Sequence, residues 1–257
     1  MTDDIFNLNG RIALVTGASS GFGKSFLQVL SEAGAKVIGA DIRKEVLEDS
    51  VKEINEHGHA VLAQEMDVTS EESIDQALAR ITKDTGAPDI VVNCAGLVHA
   101  ANFLDTKVED YNRIMDVNLK GTWQVGRAAA ALMVENKKPG SIINIASLIG
   151  LGGVQPQLTF YQTSKTAVVA LTKSMATELW RFNIRVNALC PGYVMTDLNR
   201  EFFMSEAGQE YIKRMPQRRL GEIHELKGPL LLLASDAGSF INGAALPVDG
   251  GHSIRII

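Results

Sequence analysis

The stretch Ile12–Asp41, IALVTGASSGFGKSFLQVLSEAGAKVIGAD, decides the fold. Ile12–Thr16 is a short apolar, β-branched run that reads as a strand. From Gly23 to Ala33 the apolar residues Phe26, Leu27 and Leu30 recur at helical spacing. Lys36–Ala40 is a second strand, and Asp41 stands at its end. Strand, helix and strand in this order make a parallel pair with a right-handed crossover. The turn between strand and helix, Gly17-Ala-Ser-Ser-Gly21-Phe-Gly23, carries a phosphate-binding signal. Glycines let backbone approach a pyrophosphate, and the helix that follows offers unpaired N–H groups and the positive end of its dipole. The glycine order differs from the commoner G-x-G-x-x-G. An ordinary glycine-rich turn looks the same in isolation; the strand before it and the helix after it argue for the cofactor reading. A carboxylate at Asp41 can accept hydrogen bonds from ribose hydroxyls and repel a 2′-phosphate, although it could also cap the next helix. Arg43 could welcome that phosphate. Ser20, just before Gly21, is neutral and adds no second cation, so the pattern favours NAD over NADP.

The alternation continues to the end of the chain. Strand candidates are Ile12–Thr16, Lys36–Ala40, Ala60–Met66, Ile90–Asn93, Ser141–Ala146, Ile184–Cys190 and Ala244–Val248. Helical patterns fill Gly23–Ala33, Lys44–His57, Ser70–Thr85, Val108–Glu135, Thr159–Arg181 and His224–Ser235. Pro229 falls near the start of the last of these, tolerable in a first turn and a kink elsewhere. Most strands are almost continuously apolar, as expected where helices cover both faces of a parallel sheet. Thr69 or Ser70 can cap the helix after the third strand, with Glu72 or Ser73 completing the cap. No linker or low-complexity tract interrupts the pattern, so one α/β domain over residues 1–257 is expected.

Composition narrows the function. Hydrophobic residues make up 46% of 257 and charged residues 21%, enough for a large core. A net charge of -5 without a long basic run disfavours nucleic acid and polybasic membrane contact. The acidic N-terminus does not resemble a signal peptide, and no apolar run approaches the roughly 20 residues of a membrane helix. Cys94 and Cys190 stand in apolar, strand-like contexts and read as buried thiols of a cytoplasmic protein. The five histidines form no metal-binding spacing; His99, after the fourth strand, could face a substrate cavity.

Within Thr159–Trp180, Tyr161 and Lys165 are four residues apart and share one helix face. A phenol, with a usual pKa of about 10, is a poor base at neutral pH. A nearby ammonium is expected to lower that value.

These segments are joined in order by others: TGASSGFG (Thr16–Gly23), Asp41, MDV (Met66–Val68), NCAG (Asn93–Gly96), DVNLKG (Asp116–Gly121), NIAS (Asn144–Ser147), YQTSK (Tyr161–Lys165), PGYVMT (Pro191–Thr196) and VDGG (Val248–Gly251). Together they resemble the short-chain dehydrogenase/reductase family over essentially the whole chain. The resemblance implies a Rossmann-type, doubly wound sheet of seven parallel strands with helices on both faces, a nicotinamide cofactor, and a homotetramer or homodimer. It carries the catalytic set onto Asn118, Ser147, Tyr161 and Lys165. Ser147 would hold the substrate oxygen, Tyr161 would exchange its proton, and Lys165 would bond the ribose and help the phenol ionise. Asn118, inside a helical pattern, would hold a water through its side chain or a distorted turn. Cofactor contacts are implied at Gly17, Ser19, Ser20, Gly21, Phe22, Gly23, Asp41, Ile42, Asp67, Val68, Asn93, Ala95, Gly96, Tyr161, Lys165, Pro191, Gly192, Val194 and Thr196.

Two features depart from the family. Cys94 replaces a second Asn that often follows strand four. The Ser147-to-Tyr161 spacing is one residue longer than usual, and the extra residue lies in LIGLGGVQPQLTF, one expected wall of the substrate pocket. Residues 194–221 are expected to form a substrate lid. They carry Leu198, Phe202, Phe203, Met204, Tyr211 and Met215 among Arg200, Lys213, Arg214, Arg218 and Arg219. Those cations could meet an anionic substrate or pair with Glu201, Glu206 and Glu210.

The implied reaction interconverts a secondary alcohol and its ketone. Gln155, Gln157 and Thr159 suit a polyol or sugar acid, while the aromatic, Met-rich lid suits a hydroxyacyl or other hydrophobic alcohol. An NADP-dependent 3-oxoacyl-type ketoreductase is the alternative within the enzyme class. A non-catalytic NAD-binding scaffold is the alternative outside it. The helix after Tyr161 is apolar or small at Ala167, Val168, Val169, Ala170, Leu171 and Met175, wider than one buried stripe needs, which points to a partner subunit.

Overall fold

The computed structural model describes residues 4–196 and 199–254. Its strands are β1 (Ile12–Thr16), β2 (Lys36–Asp41), β3 (Val61–Glu65), β4 (Ile90–Asn93), β5 (Gly140–Ile145), β6 (Ile184–Pro191) and β7 (Ala245–Val248). They form one parallel sheet in the order β3-β2-β1-β4-β5-β6-β7. The α/β, doubly wound architecture expected from the sequence is therefore the observed one. β1 and β4 have the predicted bounds. β2 gains Asp41 because that residue pairs with Glu65, and β6 gains Pro191 through its pairing with Val248.

The helices are α1 (Gly21–Glu32), α2 (Lys44–Glu56), α3 (Glu71–Thr85), α4 (Val108–Met115), α5 (Thr122–Glu135), α6 (Thr159–Leu179), α7 (Arg200–Met204), α8 (Glu206–Lys213) and α9 (Lys227–Ala234). On one face, Phe26, Leu27 and Leu30 of α1, Leu47 and Val51 of α2, and Leu230 and Leu233 of α9 form the core with the strands. On the other face, Ile74, Leu78 and Ile81 of α3 meet Val125, Ala129 and Met133 of α5 and Ala176 of α6. Each of the larger of these side chains contributes about 2 kcal/mol through burial, and each alanine less. The two edge strands are the exceptions to two-sided cover: in β3 only Val61 is buried and Leu62 is exposed, and in β7 no residue is fully buried.

The expected continuous helix Val108–Glu135 is divided. Between α4 and α5 the chain widens into a π-helical turn over Asp116–Gly121. The Asn118 side chain is drawn inward, exchanging two hydrogen bonds with the backbone of Leu97. The Thr122 hydroxyl donates to the Asn118 carbonyl, and Gly121 passes so close to Val68 that a Cβ there would lie 2.8 Å from Val68 Cγ2. The extra residue in the turn is what lets Asn118 leave the helical ladder.

Other ends differ by a turn. α6 stops at Leu179, and a 3-10 turn over Trp180–Phe182 closes on the left-handed Asn183. A 3-10 turn over Ile223–Leu226, capped by Glu222 and Glu225, precedes α9. Pro229 sits in the first turn of α9, where its missing N–H is not needed. Ser70 caps α3 by accepting from the Ser73 N–H at 3.3 Å, while Thr69 bonds back to Asp67.

Strand order reverses between β1 and β4, which opens a crevice at their carboxyl ends. Thr16 Oγ1 accepts from the N–H groups of Cys94 and Ala95 there, at 3.1 and 3.2 Å. A Cβ on Gly17 would stand 2.7 Å from Ala95 Cα, so the two chain segments touch only because residue 17 has no side chain.

Candidate active site

The glycine turn lies at that crevice. Gly21, with φ +54, has nothing within 4 Å of a built Cβ, so its outer side is open. Gly23 is the reverse: a Cβ would lie 2.1 Å from the Gly17 carbonyl oxygen. The exposed Ser20 makes no side-chain cap at α1, leaving the first N–H groups of the helix turned toward the open side. Phe22 stacks on Phe26 with ring centroids 6.2 Å apart and anchors the turn to the core. This is the cradle that a phosphate-bearing cofactor requires.

Asp41 is buried at the end of β2 and fully engaged. Its Oδ2 accepts from Ser19 N (3.2 Å) and Ser19 Oγ (2.6 Å), and its Oδ1 accepts from Arg43 N (3.0 Å) and Nε (3.2 Å). Burial alone would raise its pKa, but these bonds outweigh burial and hold it below the usual value. Arg43 also reaches the hydroxyls of Ser19 and Ser20. Ile42 beside it is exposed.

Asp67 is half-buried and accepts from Thr69, while Val68 is buried against Gly121. The Asn93 side chain turns into the core, where its Nδ2 donates to Asn144 Oδ1 at 2.9 Å; only its backbone is left toward the crevice. Cys94 is half-buried rather than fully buried, and burial pushes its thiol up to about 12.

Four side chains meet around β5, α6 and the π turn. Tyr161 is half-buried in the first turn of α6, and the Ser147 hydroxyl at the end of β5 hydrogen-bonds its phenol. Lys165, one turn on and buried, places Nζ 5.8 Å from the Tyr161 ring centroid and donates to the Ile145 carbonyl at 2.8 Å. A Cβ on Gly96 would fall 3.4 Å from Lys165 Nζ and 3.5 Å from Asn118 Oδ1, so the β4 loop runs beside both. The buried Ser164, which sequence reasoning passed over, links them: its Oγ accepts from Asn118 Nδ2 at 3.0 Å and donates to the Tyr161 carbonyl at 2.7 Å. Its signal was its place between the two singled-out residues, but a Ser on a helix face is unremarkable without Asn118 opposite it.

Two expectations need correction. Tyr161 lies above its ordinary value of 10.0, because burial outweighs the Ser147 bond. Burial also lowers Lys165, to about 8, and its ammonium is aimed at a backbone carbonyl rather than at the phenol. The side chain of Asn118 is occupied by Leu97 and Ser164, so any water held there falls to the opened turn and not to the carboxamide.

Pro191 ends β6, Gly192, Val194 and Thr196 follow it along the carboxyl edge, and the Thr196 N–H donates to Asn199 Oδ1 at 2.9 Å. Of the lid residues, Leu198 lies outside the described residues. Phe203 and Met215 are buried, and Phe202 and Met204 are exposed. Lys213 pairs with Glu210, and Arg219 forms a bidentate pair with Glu225, so these cations are spent locally. His99 lies 3.6 Å from Asp110. Among the described residues no group of three or more His, Cys, Asp or Glu side chains could hold a metal ion, and no helix is long and apolar enough to cross a membrane.

Comparison with known proteins agrees with this geometry. The model of a family described as enoyl-(acyl carrier protein) reductase matches residues 17–253. The chain is 36% identical over 255 residues to 5-keto-D-gluconate 5-reductase of Escherichia coli, covering 99% of this chain and 100% of that one. It is 36% identical over 244 residues to the 3-oxoacyl-[acyl-carrier-protein] reductase FabG of Thermotoga maritima, covering 95% and 98%. A crystal structure of a gluconate 5-dehydrogenase from Burkholderia cenocepacia in complex with NADP and tartrate superposes with a TM-score of 0.93 at 35% identity, covering 98% of this chain and 99% of that one.

Proposed function

The chain belongs to the short-chain dehydrogenase/reductase family, whose members here are oxidoreductases of CH–OH groups, and we propose that it is an NAD-dependent enzyme interconverting a sugar-acid alcohol and its ketone. One observation carries the reading: Tyr161, bonded to Ser147 and backed by Lys165, stands beside the glycine cradle.

In this reading the cradle of Gly17, Ser19, Ser20, Gly21, Phe22 and Gly23 holds the pyrophosphate. Asp41 and Ile42 flank the adenosine ribose, and Asp67 and Val68 flank the adenine. The backbone of Asn93, Ala95 and Gly96 passes the nicotinamide ribose, with Pro191, Gly192, Val194 and Thr196 at the carboxamide. A bound nicotinamide supplies or accepts the hydride. Ser147 holds the reacting oxygen by a hydrogen bond, and Tyr161 gives it a proton or takes one away. Lys165 bonds the ribose and offers positive charge near the phenol. In alcohol oxidation Tyr161 would be lowered from its raised value by Lys165 together with the positive charge that a bound oxidised nicotinamide would supply. Asn118 fixes the β4 loop and, through Ser164, the first turn of α6. Residues 194–221 close over the substrate, within a single catalytic domain over 1–257.

Sugar acids are favoured by the gluconate relatives and by the polar wall of Gln155, Gln157 and Thr159. NAD is favoured by Asp41, because an ionised carboxylate at the end of β2 would repel a 2′-phosphate. Arg43, reaching Ser19 and Ser20 beside the cradle, supports the second reading, an NADP-dependent ketoreductase. A comparison of kcat/KM decides between them: at least a tenfold preference for NAD with D-gluconate is expected, and a preference for NADP overturns the use of Asp41.

A tetramer with two kinds of contact fits the surface. Phe103, Leu104, Val108 and Tyr111 are exposed around Phe160 on one side, with Tyr111 and Phe160 rings 5.0 Å apart. Phe240, before β7, is completely exposed elsewhere, as is much of Trp180. If each of these apolar patches paired with its own copy on a neighbouring subunit, the two contacts would close an assembly of four subunits. Light scattering should give four times 27.8 kDa; a monomer mass rejects this. Free thiols at Cys94 and Cys190 suit a reducing cytoplasm.

A further inference from the structure

The loop before α6, which carries the additional residue, is strapped across the mouth of the site at two points. On one side the Ala101 N–H donates to the Gln157 carbonyl at 2.9 Å, and Gln157 Nε2 approaches Asn102 Oδ1 at 3.5 Å. Gln157 takes a left-handed φ of 68 to do so. On the other side the Tyr193 hydroxyl donates to Gln155 Oε1. The longer loop thus reaches both the β4 loop and the segment after β6.

Tyr193 has little freedom. Its ring packs edge-on against Phe203 (5.7 Å between centroids) and Tyr211 (5.4 Å), and tilted against His252 (5.4 Å). β5 and β6 are paired neighbours, so Tyr193, just past the end of β6, and Ser147, just past the end of β5, follow adjacent strand ends at the carboxyl edge of the sheet. A fixed hydroxyl that donates must meet the carbonyl end of the Gln155 carboxamide. The amino end, with two N–H donors, is then directed away from Tyr193.

We propose that Tyr193 and Gln155 form the specificity-determining pair of this site: Tyr193 orients the Gln155 carboxamide so that its N–H donors receive the carboxylate of a sugar acid. The inference rests on the sugar-acid reading and names the residues that would enforce it. A carboxylate only accepts, so it matches two donors without a competing group, and its hydrogen bonds are roughly twice as strong as neutral ones. An apolar alcohol would leave the carboxamide N–H groups unpaired, which selects against the hydroxyacyl and hydrophobic substrates. Tyr193 acts through Gln155 and is a positioning residue.

The test is steady-state kinetics with NAD and two probes of equal length, D-gluconate and the neutral D-glucitol, on the full-length enzyme. Wild type is expected to favour D-gluconate. Tyr193→Phe and Gln155→Leu should each raise KM for D-gluconate at least tenfold, with a smaller effect on kcat. The double variant should be little worse than either alone. Gln155→Glu, close in shape but lacking the donors, should lose more than a hundredfold in kcat/KM for D-gluconate and less than tenfold for D-glucitol. If wild type turns over D-gluconate and the variants keep its KM, or the two substitutions are additive, the pairing is overturned while the sugar-acid reading stands. If wild type prefers D-glucitol, the sugar-acid reading itself fails and the pairing with it.

Discussion

Tyr161→Phe is expected to lower kcat with D-gluconate and NAD by about a thousandfold or more, the upper range for losing a general acid–base. NAD affinity should change less than about threefold, since the substitution removes only the phenol oxygen and keeps the ring against α6. The physical cause is local. The phenol oxygen is bonded to Ser147, and in the proposed reaction it is the group that exchanges a proton with the reacting oxygen. The pH dependence should carry the same signature. Burial keeps Tyr161 protonated at neutral pH, ready to donate in ketone reduction, so reduction needs no ionisation. Oxidation does need it, and kcat/KM for the alcohol should climb with pH while Lys165 stays charged. That help fades as pH rises through about 8, where Lys165 loses its proton. Stopped turnover with intact NAD titration supports the assignment, and a Phe variant above a tenth of wild-type kcat removes it.

Much of this was readable from residues alone because its determinants are local. The βαβ unit at Ile12–Asp41 declares itself through apolar runs and glycines within a few residues of each other, and β1 ends where expected. Tyr161 and Lys165 share a face for the same reason. What could not be read depends on partners far along the chain. DVNLKG sustains a helical period, and the Leu97 backbone and Ser164, 21 and 46 residues away, draw Asn118 out of it. Asp41 looked free to meet a ribose, yet Ser19 and Arg43 occupy both its oxygens. The raised pKa of Tyr161 follows from burial, which no spacing of Tyr and Lys reveals. The lid set was apolar by composition, but the fold turns Phe203 inward onto Tyr193 and leaves Met204 exposed.

Gly23→Ala is expected to cost more than any other single methyl in the cradle. An added Cβ would meet Gly17 O at 2.1 Å and Gly17 C at 2.7 Å. Both are backbone atoms of the turn that α1 leaves, so no flexible side chain can yield. The turn must open, and Gly17 cannot retreat because it already lies against Ala95. Overpacking of this kind costs about 3 kcal/mol, or roughly 6–12 °C in melting temperature for a chain of this size. NAD affinity should fall at least a hundredfold, since the N–H groups that form the cradle move together. Gly21→Ala is the control from the same turn. Its Cβ meets nothing within 4 Å, so the variant bears only the left-handed strain of φ +54, about 1–2 kcal/mol. It should melt closer to wild type yet still bind NAD more weakly, because the new methyl occupies the open side. Thermal melting and NAD titration separate the two effects. A Gly23→Ala protein that melts within 2 °C of wild type and binds NAD normally would mean that the turn is not the rigid phosphate cradle argued for above.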